Sequence, residues 1–221
     1  IQNKMIKILI ADDHAIVRQG LKQVIAEAHD MQVGGEATNG LEALELIRNQ
    51  DWNVAVLDMS MPGRSGIELI KLAKAEKPKL PILILTMHSE DQYAVRALQA
   101  GASGYLTKES APEQLINAIR KVAAGGVYIS ASAAEKLALY VMPGTDKLPH
   151  TLLSDREFEV FQMLTSGMSL SDAAEKLSLS VKTISTHKTH ILEKMHLANQ
   201  TELVRYAIKH GLADESDSST L

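Results

Sequence analysis

Val54-Ala55-Val56-Leu57-Asp58 is a run of four apolar residues closed by a carboxylate. A half-exposed strand alternates polar and apolar positions. An unbroken aliphatic run reads instead as a strand buried on both faces, the condition of a parallel sheet. The same punctuation recurs through the first half of the chain. Ile6 to Ala11 leads into Asp12-Asp13, Ile82-Leu83-Ile84-Leu85 into Thr86, and Tyr105-Leu106-Thr107 into Lys108. In an open α/β sheet, chemistry collects beyond the carboxyl ends of the strands. Three carboxylates, a hydroxyl and an ammonium would then share one site.

Working outward, helical periods separate these runs. Strands are expected near 6–11, 31–36, 53–57, 81–86 and 103–107, and helices near 14–28, 39–49, 65–76, 90–100 and 111–124. Val17, Leu21, Val24 and Ala28 mark one apolar stripe, and Leu115, Ile119, Val122 and Ala123 another. Ser110 with Glu113 reads as a capping box for the fifth helix, with Pro112 in its first turn. Strict alternation predicts a doubly wound, five-stranded parallel sheet with right-handed crossovers and strand 1 between strands 2 and 3.

The pattern changes after Gly125-Gly126. Residues 131–141 read as helical, and Met142 to Thr151 carry two prolines, a glycine and little periodicity. Beyond them only helical signals occur. Ser154 with Glu157 opens a helix ending near Gly167, Ser169 and Asp172 open a short one to about Leu177, and two more run over about 181–195 and 200–210. The chain therefore divides into an α/β domain over 5–127, a linker with a helical start over 128–150, a small all-α domain over 151–212, and an acidic, Ser-rich tail over 213–221 expected to be disordered.

Composition narrows the classes. The 221 residues suit one or two domains, and 45% hydrophobic content supports packed cores. No apolar run reaches the length of a membrane span, and no N-terminal pattern suggests secretion. Zero cysteines exclude disulfides and thiolate metal sites and fit a reducing compartment, so a cytoplasmic protein without membrane contact is expected. Residues 1–130 hold 14 basic and 15 acidic side chains, and residues 151–213 hold 7 of each. Nucleic-acid binding is thus not advertised by net charge and has to rest on local pattern.

With strands 1 and 3 adjacent, Asp12, Asp13 and Asp58 fall within a few ångströms of one another. Ionised carboxylates at that range repel unless a cation joins them. Oxygen ligands of this kind suit Mg²⁺. Lys108 would add a second positive charge on the far side, and Thr86 a hydroxyl. Metal, ammonium and hydroxyl around an open carboxylate stabilise a transferring phosphoryl group, and a carboxylate can itself be the nucleophile. An Asp-Asp pair taken alone is often only a loop device; the joint placement of five such residues at strand ends is what argues for a site.

The segments Ile8 to His14, Val56 to Gly63, Leu85-Thr86 and Gly101 to Lys108 resemble a response-regulator receiver domain over about residues 5–125. The resemblance implies that Asp58 accepts phosphate from a sensor histidine kinase. It further implies that Asp13, Asp58 and the backbone carbonyl of Ser60 hold Mg²⁺, with Asp12 acting through water. Lys108 would pair with the phosphoryl group, and Thr86 and Tyr105 would form a switch pair. Many receivers place Pro directly after the lysine; Glu109 stands there in this chain.

In the helix over 181–195, advancing 100° per residue from Ile184 brings Ile191 and Met195 within about 20° of it. Lys182, Ser185, Thr186, Thr189 and Glu193 lie on the other side. Lysine and small hydroxyls fit groove contact, and a short helix, tight turn and longer helix match a helix-turn-helix. The same face also fits a merely solvated helix. The segments Leu153 to Glu157, Ala173-Ala174, Lys182 to His187 and Lys194-Met195 resemble the LuxR-type C-terminal domain over about 150–212. The whole chain is then similar to NarL/FixJ-type response regulators. That resemblance implies double-stranded DNA contacts at Lys182, Ser185, Thr186, Thr189 and also Lys188, where the family more often has a branched apolar residue. It also implies a homodimer upon phosphorylation through the last helix, which carries Leu203, Val204, Ala207 and Ile208, with RNA polymerase as a further partner. His187 lies near the core stripe and reads as a packed side chain.

The expected function is a phosphorylation-controlled transcription factor, not an enzyme beyond slow self-dephosphorylation. Three other readings stay open from the residues alone. A Mg²⁺-dependent phosphohydrolase would also use Asp and Lys at strand ends, although it usually places a D-x-D unit where Asp58-Met59-Ser60 stands. A nucleotide-binding module is disfavoured by the absence of a phosphate-loop motif and by the poor fit of Gly34-Gly35 and Gly40 to a dinucleotide fingerprint. The helical module could instead bind protein.

Overall fold

The computed structural model describes residues 5–61, 66–87, 91–141 and 148–213. The chain divides into two compact units, Ile1–Leu137 and Ala138–Leu221. Part of the expected linker and the acidic tail from 214 onward lie outside the described residues.

In the first unit β1 (Ile6–Ala11), β2 (Met31–Ala37), β3 (Val54–Asp58), β4 (Ile82–Thr86) and β5 (Gly104–Thr107) form one parallel sheet in the order β2-β1-β3-β4-β5. Between them run α1 (Ala15–Ala26), α2 (Gly40–Asn49), α3 (Gly66–Glu76) and α4 (Asp91–Gln99), followed by α5 (Pro112–Ala123). The doubly wound architecture is the one the apolar runs predict. Every residue of β3 and β4 is buried, as their lack of alternation requires. Pleating sends Ile8, Ile10, Val54, Val56, Leu83, Leu85 and Leu106 to one face, where Ile25 of α1 and Leu115, Ile119 and Val122 of α5 cover them. The intervening residues, including Leu9, Leu57, Ile82 and Ile84, are buried on the other face, on the side of α2, α3 and α4.

Edge strand β2 carries the glycine pair. Its register against β1 shifts between Ile8 and Leu9, with Val33 opposite the first and Gly35 opposite the second, so Gly34 is the extra residue of a bulge. Trp52 packs on both glycines. A Cβ at Gly35 would sit 2.6 Å from the indole, and one at Gly34 would meet the Lys7 side chain at 2.6 Å. The Lys7 ammonium lies 4.4 Å over the same ring. These glycines make room for a tryptophan, which accounts for their poor match to a dinucleotide fingerprint.

Two expectations change. Helix α5 starts at Pro112 with Ala111 in the N-cap position, and the reciprocal contact is Ala111 N–H donating to Gln114 Oε1 at 3.1 Å. Ser110 is bonded instead to the Thr107 hydroxyl at 3.0 Å, so the Ser110–Glu113 box does not form. Tyr128, expected in the linker, belongs to the sheet edge. Its carbonyl accepts from Tyr105 N–H at 2.9 Å and its N–H donates to Ser103 at 3.0 Å. This covers main-chain groups that edge strand β5 would otherwise present to water. Helix α6 (Ala131–Val141) follows, with Ala133 buried.

The second unit is a 3₁₀ turn (Pro149–Leu152), α7 (Asp155–Thr165), α8 (Leu170–Lys176), α9 (Val181–Met195) and α10 (Gln200–Lys209). All four α-helices begin the same way. Ser154, Ser169, Ser180 and Asn199 each accept from the backbone N–H three residues on. Phe158, Phe161, Leu164, Ala173, Leu177, Ile184, Ile191, Met195, Leu203 and Ala207 make the core. Among the described residues no helix is long and apolar enough to cross a membrane.

Candidate functional site

Each residue of the acidic pocket is delivered by a strand end. Asp58 closes β3, and Asp12 follows β1, which pairs with β3 directly. Lys108 follows β5, and its N–H donates to the Thr86 carbonyl at 2.7 Å, joining the ends of β4 and β5. From there the lysine side chain reaches inward. Its Nζ lies 2.6 Å from Asp12 Oδ2 and 2.8 Å from Asp58 Oδ2. Lys108 thus stands against the Asp58 carboxyl and bridges it to Asp12. Its side chain is only 8% exposed and that of Asp12 1%, and a buried ammonium must be paired.

The remaining oxygens are also engaged. Asp12 Oδ1 accepts from His14 N–H at 2.8 Å, and Asp58 Oδ1 from Ser60 N–H at 3.2 Å. Arg18 of α1 donates to the Asp12 carbonyl at 2.7 Å. Asp13 is exposed, with Oδ1 3.0 Å from His14 Nδ1; the same nitrogen lies 3.2 Å from Asp12 Oδ1. One ligand atom from each of Asp12, Asp13, His14 and Asp58 lies within 4.8 Å of the others. His14 is a member that sequence reasoning missed. The signal was its place immediately after the Asp pair, in an N-cap position where its side chain makes no capping bond.

The electrostatics show a shortage of positive charge. Burial pushes the Asp58 carboxyl up, and the Lys108 hydrogen bond and charge only partly offset this, while Asp12 adds to it. Burial works against the Lys108 ammonium as well, but its bonds to Asp12 and Asp58 outweigh that and raise its pKa. One ammonium thus serves two buried carboxylates beside a third. A divalent cation with hard oxygen preference fits this donor set. Thr86 is fully buried at the end of β4, and Tyr105 is buried in β5 opposite Ile84. Tyr105 lines a cavity of about 250 Å³ with Ala94, Thr107, Gln114 and Tyr128 among its walls.

In the second unit, Ile184, Ile191 and Met195 of α9 are buried, while Lys182, Ser185, Thr186 and Thr189 are exposed together on the outer face. Lys188 is not with them. It is half-buried and donates to Gln200 Oε1 at 2.7 Å. His187 is half-buried, and burial followed by the Arg156 charge holds its imidazole below the usual histidine range. The base of α9 is tied down by Glu157. Its Oε2 accepts from Ser154 N–H at 2.7 Å and from Lys194 Nζ at 2.7 Å. Burial pushes that carboxyl up, but the lysine and serine donors outweigh it and leave the pKa lowered. Ser178, at φ 54° in the turn between α8 and α9, lets the chain pass from one helix to the next in four residues. Leu203 and Ala207 of α10 are spent within the unit's own core, while Val204 and Ile208 are half-buried.

A strand-end acid and lysine pocket joined to a helix-turn-helix is the plan of a two-domain signalling regulator. Comparison with known proteins agrees. The response regulator receiver domain family matches residues 8–120, and the luxR family of bacterial regulatory proteins matches residues 151–207. Response regulator UvrY of Escherichia coli K12 is 34% identical over 217 residues, 98% of this chain and 100% of that protein. Oxygen regulatory protein NreC of Staphylococcus carnosus is 38% identical over 215 residues, 94% of this chain and 99% of that protein. Among solved structures, RcsB from Salmonella enterica serovar Typhimurium, bound to promoter rprA in the presence of phosphomimetic BeF₃⁻, has a TM-score of 0.66 at 29% identity and covers 91% of this chain and 98% of that one. The chain belongs to the NarL/FixJ-type two-component response regulators, with a receiver domain and a LuxR-type DNA-binding domain.

Proposed function

We propose that a sensor histidine kinase phosphorylates Asp58, and that this controls dimerisation and sequence-specific binding of double-stranded DNA to regulate transcription in the cytoplasm. The observation that carries the reading is the buried Asp58 carboxylate held 2.8 Å from Lys108 at the end of a parallel strand. Asp58 attacks phosphorus; the new O–P bond forms as the donor's P–N bond breaks, and the electron pair leaves with the histidine. Lys108, already paired with Asp58, keeps its charge on the incoming phosphoryl oxygens. Thr86 turns its hydroxyl to the phosphoryl group, and Tyr105 biases the state that results. Asp13, Asp58 and the Ser60 carbonyl would hold Mg²⁺, with Asp12 acting through water. Bound there, a divalent cation would supply positive charge that offsets the charge of the phosphoryl group. The chain acts as an acceptor, with at most slow self-dephosphorylation.

DNA is read by α9, with Lys182 on phosphate and Ser185, Thr186 and Thr189 toward the bases. Lys188, expected as a contact, is occupied by Gln200 and contributes less. A dimer joined through the outer strip of α10 would read two half-sites about one helical turn apart, with RNA polymerase as a further partner. Swinging the population from 1:99 to 99:1 takes about 5.5 kcal/mol; in this reading the phosphoryl contacts with Lys108, Thr86 and Mg²⁺ supply part of it and dimerisation the rest.

Two measurements test this. Adding a small-molecule phosphodonor with Mg²⁺ should shift the chain from monomer to dimer in sedimentation and tighten a gel-shift at least tenfold; neither changing once Asp58 is labelled would end the control reading. Lys182→Ala should weaken binding to all duplexes alike and reduce the salt slope by about one phosphate contact. An unchanged slope would take Lys182 off the phosphate backbone.

A further inference from the structure

The outer face of α9 holds two ridges, Val181–Ser185–Thr189 and Lys182–Thr186, each spaced by four residues. Three of these residues carry hydroxyls, but they are not equivalent. Thr186 Oγ1 donates to the Lys182 carbonyl at 3.0 Å, and Thr189 Oγ1 donates to the Ser185 carbonyl at 3.1 Å. A threonine hydroxyl that bonds back to the carbonyl four residues earlier has given up its one proton. It cannot also donate to a phosphate or a base acceptor. The staggered rotamer that turns the oxygen inward leaves the γ-methyl group as the outward part of the side chain. The Ser185 hydroxyl makes no hydrogen bond among the described residues and remains the donor-capable one. Val181, the first residue of the helix, adds two more methyl groups and is 47% exposed, although apolar side chains of this unit are mostly buried.

We infer that α9 reads DNA chiefly through methyl contacts, with Val181, Thr186 and Thr189 packing on the C5-methyl groups of thymines in the major groove. This deepens, and rests on, the DNA-binding reading above. The chemistry follows from the groove. Only thymine presents a methyl group there, and only apolar contact recognises it. A helix of this kind prefers A·T pairs at the positions under these three side chains. Lys182 supplies phosphate attraction that carries no sequence information, and Ser185 is left for one polar base contact.

The test begins with the full-length chain, Mg²⁺ and a small-molecule phosphodonor, used to select a duplex from a randomised pool. Each thymine of that duplex is then replaced in turn by deoxyuridine, which removes the methyl group and leaves every hydrogen-bonding group in place. At two or more positions per half-site the affinity should fall about fourfold, the weight of one buried methyl group. Thr186→Val, which keeps the methyl shape and loses the hydroxyl, should bind within twofold of the parent. Thr186→Ser, which keeps the hydroxyl and loses the methyl group, should bind about fourfold more weakly and no longer distinguish thymine from uracil at one position. Uracil duplexes binding as tightly as thymine duplexes throughout would overturn the inference. So would Thr186→Val losing affinity while Thr186→Ser keeps it. Failure to select any duplex is a different result: it would sink the DNA-binding reading and this inference with it.

Discussion

Asp58→Asn should leave the chain unable to take up a phosphoryl group from a small-molecule donor, with labelling reduced by about a thousandfold or more, the scale on which loss of a nucleophile is felt. The amide is nearly isosteric, so Lys108 keeps its other partner, Asp12 Oδ2 at 2.6 Å, and the pocket keeps its shape. Only the nucleophilic carboxylate oxygen is gone. Stoichiometric labelling of the variant, seen as the mass of one phosphoryl group, would show that another side chain is the acceptor. The same substitution should make the fold more stable in the absence of metal. Burial holds the Asp58 carboxyl above its ordinary range, so the native state binds this proton more tightly than the unfolded chain does. Stability therefore falls as pH rises from the unfolded-state value through the raised native one, because the native carboxyl holds its proton longer. A neutral amide at this position carries no such penalty. The variant's melting temperature at pH 7 should exceed that of the parent, and the gap should narrow when the scan is repeated at pH 4. Scans without Mg²⁺ at both pH values check the sign.

Much of this was legible in the sequence because the signals were local and strong. Runs such as Ile82 to Leu85 are short, rich in isoleucine and leucine, and free of alternation, which reads as a strand buried on both faces. Their order places Asp12, Asp58, Thr86 and Lys108 at one edge without knowledge of any side-chain position. The helix-turn-helix was legible for a similar reason, since Ser154, Ser169, Ser180 and Asn199 each punctuate a helix start. What escaped depends on where long side chains end. Lys108 crosses to Asp12, Lys188 turns to Gln200, and Lys194 reaches back 37 positions to Glu157. None of these choices is encoded in spacing; each is settled by which polar group is buried nearby. His14 joins the acidic cluster because the chain leaving β1 turns there, and Tyr128 joins β5 because an open sheet edge was available. Ser110 illustrates competition between local rules: it could have capped α5, but it bonds Thr107 instead and the helix starts one residue later.

Phe161→Ala should unfold the DNA-binding domain while leaving phosphorylation of Asp58 intact. The chain has only two phenylalanines, and both are in α7. Their rings stack with centroids 5.8 Å apart and planes at 21°, and neither is more than 1% exposed. Removing one such ring costs about 3–5 kcal/mol, the transfer loss plus the cavity left behind. A domain of this size has about 3–9 kcal/mol to lose, and small domains bury too little surface to sit high in that range. The substitution should therefore abolish the gel-shift and remove the helical signal of this unit. The receiver reports on itself independently, because the only tryptophan, Trp52, is packed on β2 in the other unit. Its fluorescence melting curve and the labelling of Asp58 should match the parent within error. Retention of the gel-shift with unchanged melting would show that Phe161 is not central to the core. Loss of labelling together with a shifted Trp52 transition would show instead that the two units fold as one.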